Sequence, residues 1–277
     1  MTDAHATGTA RPALAGHPLD IAAPPKLAGA AARITGRPEG ATGRPYRMML
    51  LERRTLNYSD PYKVTVTRRE HGFSAASSAF RADIEFPGRN IRIEIAPPPA
   101  AGNPANALEN ALRLVTQWLA WEHRGLVVHA SAFVRNSGGA VVAVGPSGAG
   151  KSTLARRALD SGRPVLGDDL VILRMEKEGL MVEGTPFSGS DPRIPFTAGR
   201  HPVAMLVTLE KGAGTELLPQ APAERLTALL AQVQGIADRS KTETGALMDA
   251  LIPLLGTLPG GTLRFALDSD LWQTLDS

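Results

Sequence analysis

The chain has no cysteine in its 277 residues. Disulfide scaffolds, thiolate metal sites and cysteine nucleophiles are therefore excluded, and a reducing compartment fits, with the cytoplasm as the expected location. Aromatic residues are scarce at 5%. No run of about 18 uncharged apolar residues occurs, and the N-terminus lacks a basic stretch followed by an apolar run of roughly 7–15 residues; neither a membrane-spanning helix nor a secretory signal is expected. Blocks of like charge are also missing. The formal net charge is +3 and the arginines are dispersed. That balance suits an anionic ligand such as ATP or an acidic protein partner, and nucleic acid is not the expected main partner.

What is present is the composition of a globular protein, with 43% hydrophobic and 21% charged residues. The length suits a catalytic domain of about 150 residues with a smaller partner. Residues 1–45 are rich in Ala, Gly and Pro and read as a disordered or loosely docked tail. Residues 46–102 hold short alternating runs, such as Tyr62 to Thr67 and Ile91 to Ile95, and read as a small, mainly β subdomain. Pro97 to Gly102 reads as a linker. Residues 103–277 form the main domain, opened by an Asn103 cap with Pro104 at the first helical position. The helix that follows carries Leu108, Leu112, Val115 and Leu119 as an apolar stripe, and Trp118 and Trp121 read as packing rather than a stacking platform.

Leu126 to Val134 and Ala140 to Val144 are two β-type runs joined by Arg135-Asn136-Ser137-Gly138-Gly139, a hairpin signal. Next comes Gly145-Pro146-Ser147-Gly148-Ala149-Gly150-Lys151-Ser152-Thr153, which satisfies G-x-x-x-x-G-K-[ST] between an apolar strand and an amphipathic helix. The chemistry needs those residue types. Glycines let successive N–H groups turn toward phosphate oxygens, and the helix N-terminus adds partial positive charge. Lys151 would reach the β- and γ-phosphates of ATP, and the Ser152 hydroxyl would ligate Mg²⁺.

A short strand from Pro164 to Leu166 delivers Asp168 and Asp169, which a parallel α/β sheet would place at its carboxyl edge beside the P-loop. One carboxylate would hold Mg²⁺ and the other would accept the proton of an attacking hydroxyl. Gly-Asp-Asp is also ordinary turn chemistry. His129 shares a strand face with Ser131 and Phe133, where a histidine is more often a satisfied core or edge residue than a functional one.

Leu126 to Ser131, the P-loop, and Gly162-Arg163-Pro164-Val165-Leu166-Gly167-Asp168-Asp169 together resemble, in order and spacing, the catalytic domain of the HPr kinase/phosphorylase family. The likeness runs from about Leu126 to Arg174 and, more loosely, to Glu183-Gly184-Thr185-Pro186-Phe187. It implies an α/β P-loop kinase core of the HPr kinase C-terminal-domain type beside the small β subdomain. It also implies an ATP- and Mg²⁺-dependent kinase acting on a serine hydroxyl of a protein or precursor peptide, and a homo-oligomer. Asp168 would be the proton acceptor, His129 its support, and Asp169 and Ser152 would lie near Mg²⁺. The family's Glu-x-Arg-Gly-x-Gly signature of the reverse activity is not reproduced at Glu183-Gly184, and the pattern is similar to divergent members that modify peptide precursors.

Rival readings lack their marks. An ABC-type ATPase would need Leu-Ser-Gly-Gly-Gln downstream, and a GTPase Asn-Lys-x-Asp. A small-molecule kinase would need a lid of clustered arginines, whereas Arg193, Arg200 and Arg225 are spread along the chain. A non-catalytic ATP-binding switch has no physical need to keep Lys151, Ser152 and Asp168 together.

Overall fold

Alternation of large apolar and polar residues between Tyr46 and Ile95 builds a sheet with one dry face. The computed structural model describes residues 12–34, 43–53, 56, 63–96, 104–187, 189, 191, 193–194, 197, 199–235, 239–267 and 269–276. The elements of the first sheet are β1 (Ala13–Leu14), β2 (His17–Ala22), α1 (Pro25–Ile34), β3 (Tyr46–Glu52), β4 (Thr65–Arg69), β5 (Gly72–Ala76), β6 (Phe80–Glu85) and β7 (Asn90–Ile95). Its strands run in the order β1-β2-β3-β7-β6-β5-β4. Tyr46, Met48, Leu50, Phe80, Ile84, Ile91, Ile93 and Ile95 fill the dry face.

The loose tail expected over residues 1–45 is corrected between Pro12 and Ile34. There β1 and β2 form a hairpin that pairs in parallel with β3, and α1 follows. Few large side chains are needed. Leu14, Leu19 and Leu27, with Ala30 and Ala31, bury themselves against an apolar surface that the rest of the sheet already supplies. Residues 1–11 and 35–42, Tyr62, the linker at residues 97–102 and the Asn103 cap lie outside the described residues.

Helix α2 (Pro104–Glu122) lies between the two sheets. Ala107, Leu108, Leu112, Val115 and Leu119 share one core with the first sheet and with Val127 and Ile172 of the second. Trp118 is buried in that core, stacked on Phe73 with ring centroids 5.3 Å apart. Such a pair adds about 0.5–1.5 kcal/mol beyond the area it buries.

The second sheet is built from β8 (Gly125–Val134), β9 (Ala140–Val144), β10 (Val165–Gly167), β11 (Leu170–Glu176), β12 (Gly179–Gly184), β13 (Arg200–Lys211), β14 (Glu216–Pro219) and β15 (Gly260–Phe265). Its helices are α3 (Lys151–Asp160), α4 (Pro222–Leu230), α5 (Lys241–Thr257) and the short α6 (Trp272–Leu275). Pairings β8–β11, β11–β12, β12–β13, β13–β9 and β9–β8 close on themselves. Along β8, Val128, Ala130 and Ala132 pack with Leu229, Leu247 and Leu251, and Phe133 packs with Leu154, Ala155 and Ala158 of α3. This period of two is that of a strand with helices on both faces.

The sheet is mixed, not parallel as expected. Strand β10 is antiparallel to β8, and β8 is antiparallel to β9. Two reversals leave β10 running in the direction of β9, so both strands end at one edge. Asp168 and Asp169 interrupt the path between β10 and β11, which pair with successive parts of β8. Among the described residues no helix is long and apolar enough to cross a membrane.

Candidate nucleotide site

Strand β9 ends at Val144 and α3 begins at Lys151, so the P-loop is the connection between them. Gly148 has φ 78° and Gly150, the N-cap of α3, has φ 110°, a backbone region that side chains with a Cβ rarely adopt. A Cβ on Gly150 would also come within 3.0 Å of the Phe265 ring. The glycine pattern therefore has a local physical cause, and the first N–H groups of α3 have no partner within the helix. Lys151 is buried, and its Nζ donates to Gly145 O at 2.7 Å and Pro146 O at 3.1 Å. Burial pulls its ammonium below the ordinary lysine range, and Asp169 opposes that shift. Ser152 and Thr153 follow in the first turn of α3, half-buried.

Asp168 is 2% exposed. Its Oδ1 accepts from the Gly189 N–H at 2.8 Å, while Oδ2 has no hydrogen-bond partner among the described residues. A side chain at position 189 would not allow this approach, since a Cβ there would lie 2.5 Å from Oδ2. Burial pushes the carboxyl above its ordinary range, and neighbouring Asp169 adds to the effect.

Asp169 is treated differently. Arg113 of α2 donates from Nη1 to Oδ2 at 2.8 Å, and His129 Nε2 of β8 stands 3.4 Å from Oδ1. Arg113 is braced by Glu109 one turn earlier, with Nε and Nη2 at 3.1 and 2.8 Å from Oε1, and its guanidinium lies 5.1 Å from the Phe187 ring centroid. His129 thus stands beside Asp169, the neighbour of the Asp168 it is expected to support. Burial, and then Lys151, pull the imidazole below its ordinary range and favour the neutral ring.

The structure brings together four groups singled out in the sequence: the P-loop with Lys151, Asp168, Asp169 and His129. Sequence reasoning missed Arg113 and the Gly189 N–H. The Glu109/Arg113 spacing of four residues on a helix is a signal for the first, while nothing local announced the second. Glu183 belongs elsewhere, paired with Arg174 at 2.9 Å. Thr185 Oγ1 donates to Leu170 O at 2.7 Å.

No protein-family model and no curated protein matches the chain. Among solved structures, the Hpr(Ser) kinase/phosphatase from Coxiella burnetii is similar over 34% of this chain, at 21% identity and a TM-score of 0.27. The chain spans 65% of that kinase's length. An overlap of this kind decides neither fold nor reaction, so the site rests on its own residues.

Those residues can be tested against a nucleotide and its metal. Among the described residues no three His, Asp or Glu side chains cluster as a ligand set. The described residues by themselves do not make a metal cage. Mg²⁺ held by one or two carboxylates plus phosphate oxygens needs no such cage. Asp169 with the Ser152 hydroxyl fits that division, the unpartnered Asp168 Oδ2 is left for a proton, and the P-loop fits the phosphates.

Proposed function

We propose that the chain binds ATP with Mg²⁺ and transfers the γ-phosphate to a hydroxyl group, that of a serine in a protein or precursor peptide. The observation that carries this reading is the buried, unpartnered Oδ2 of Asp168 at the sheet edge where the P-loop begins. A carboxylate raised above its ordinary range is a stronger proton acceptor than a solvated one. The P-loop N–H groups and Lys151 would bind and orient phosphate, Ser152 and Asp169 would hold the metal, and Asp168 would take the hydroxyl proton. Bound Mg-ATP would supply the transferable phosphoryl group and charge neutralisation.

A small-molecule acceptor has less support. Arg200 pairs with Glu176 and Glu183, and Arg225 donates to Leu255 O and Leu258 O at the end of α5. Arg193 and Arg156 both bond Asp191. These arginines are committed to the fold rather than gathered as a lid over phosphate.

The test is ATP-dependent ³²P transfer to proteins and peptides encoded beside this gene, comparing the wild type with Asp168→Asn and Lys151→Ala. Transfer that falls at least about a hundredfold in Asp168→Asn, the usual worth of a general base, is the expected result. Nucleotide binding that survives in the wild type with no transfer to any serine-containing acceptor would sink the serine-kinase reading and favour a small-molecule kinase or a switch.

A further inference from the structure

Both oxygens of Asp169 face nitrogens, Arg113 Nη1 at 2.8 Å and His129 Nε2 at 3.4 Å. A divalent cation arriving at this carboxylate must displace at least one of them. Arginine cannot leave by losing its proton, since the guanidinium stays charged at any ordinary pH. It can leave by moving, and the structure gives it somewhere to go. Glu109 Oε1 already accepts from Nε and Nη2, so a guanidinium that releases Asp169 remains paired. Its face keeps the Phe187 ring as well. A second feature marks this edge as open to an outside group: Oδ2 of the adjacent, 2% exposed Asp168 has no partner among the described residues.

We propose that Arg113 holds the place of the divalent cation on Asp169 while the site is metal-free, and that the cation displaces its guanidinium onto Glu109 alone. The proposal rests on the nucleotide-site reading and deepens it. Arg113 is a positioning residue: α2 reaches the reacting edge through it and keeps the Asp169 charge compensated until metal arrives. A purely structural Arg113 would make every ligand bind worse when removed. A place-holder makes the metal bind better.

The experiment uses the full-length, nucleotide-free chain and Mn²⁺ alone, with free Mn²⁺ counted by electron paramagnetic resonance. Arg113→Met retains an apolar stem for Phe187 and removes the charge. It is expected to bind Mn²⁺ at least about threefold tighter than wild type, the scale of releasing a partly buried ion pair. Arg113→Lys, which restores a cation, returns to the wild-type value. The gain disappears in Arg113→Met/Asp169→Asn. Unchanged or weaker affinity in Arg113→Met, including no uptake by either protein, overturns the proposal, as does a gain that survives Asp169→Asn. Should Arg113→Met fail to fold by circular dichroism, Arg113→Gln takes its place with the same ordering. ADP titrated into the same samples separates the two readings: no ADP binding removes the kinase, while the Mn²⁺ ordering still judges Arg113.

Discussion

Two regions of this molecule bury polar groups, and they do so to opposite ends. At the junction of the sheets, β2, β3, β11, β12 and the end of α2 bring together His17, Tyr46, His123, Arg174 and Glu183. Arg174 is 4% exposed, yet its nitrogens reach Glu183 Oε2 at 2.9 Å, His123 O at 3.2 Å and Ala15 O at 2.6 Å. The His17 and His123 rings stand 3.9 Å apart, and Tyr46 Oη is 3.3 Å from His123 Nε2. Charge is compensated within the chain. At the P-loop edge the Asp168 carboxylate is as deeply buried, and among the described residues one oxygen is left without a partner. An unsatisfied buried acceptor costs about 1–3 kcal/mol. The junction satisfies Arg174 and leaves His17 Nε2 unpartnered among the described residues, but that atom belongs to an imidazole that burial keeps neutral, which costs less to strand than a carboxylate oxygen. What sets the edge apart is that its orphan is a carboxylate oxygen beside a P-loop.

The largest effect that would sharpen this contrast belongs to the junction. Arg174→Ala strands Glu183 with Arg200 Nη2 at 3.4 Å and frees the Ala15 carbonyl of the β1–β2 turn. Breaking one side of a buried pair costs about 3–5 kcal/mol, so the denaturant midpoint should fall sharply while nucleotide affinity of the folded fraction stays at the wild-type value. Lost nucleotide affinity at unchanged stability would merge the two regions and break the comparison. A smaller effect is the pH response of His17. Its pKa is depressed to about 3 by burial first, then by His123, Arg174, Arg89 and Arg200. The unfolded chain takes up this proton near 6.5 and the folded chain only near 3. Stability is thus complete above the upper value and declines as pH falls through the window, by about 2 kcal/mol or more. His17→Phe keeps an aromatic ring against His123 and should lose that slope in urea titrations between pH 7 and pH 4, chosen to fall within or above roughly this window.

The contrast also explains what the sequence could and could not reveal. The β8–β9 hairpin, the P-loop and α3 were legible because each rests on local rules: apolar alternation, a Gly-Gly turn, and glycines at positive φ before a helix. Asp168 and Asp169 were legible by their distance from the P-loop, although the sheet direction that brings them there was not. Strand β10 reaches the edge through two antiparallel pairings, and pairing is a tertiary property. Residues 12–34 failed for a related reason. Leu14, Leu19 and Leu27 are too few to form a core alone, and only the surface offered by β3 and its neighbours makes their burial favourable. Arg113 was hidden behind the apolar stripe of α2, where the stripe drew the attention and the charged pair beside it did the positioning.

The smallest predicted effect tests the unpaired oxygen itself. Asp168→Asn removes the proton acceptor but can keep Oδ1 for the Gly189 N–H, and burying a neutral amide costs less than burying a charge. The variant should therefore be more stable than wild type at neutral pH, by about 1 kcal/mol, or roughly 2–4 °C in Tm for a chain of this length. The sign with pH follows from the direction of the shift. Because burial raises the carboxyl above its ordinary 3.8, the wild type loses stability as pH rises from that value through the folded one. The advantage of Asp168→Asn should then be full at neutral pH and vanish on acidification below 3.8. Calorimetry of the two proteins across that range decides it. A variant that is less stable at neutral pH would mean that Asp168 is paired by the fold after all, and the edge would then be no different in kind from the junction.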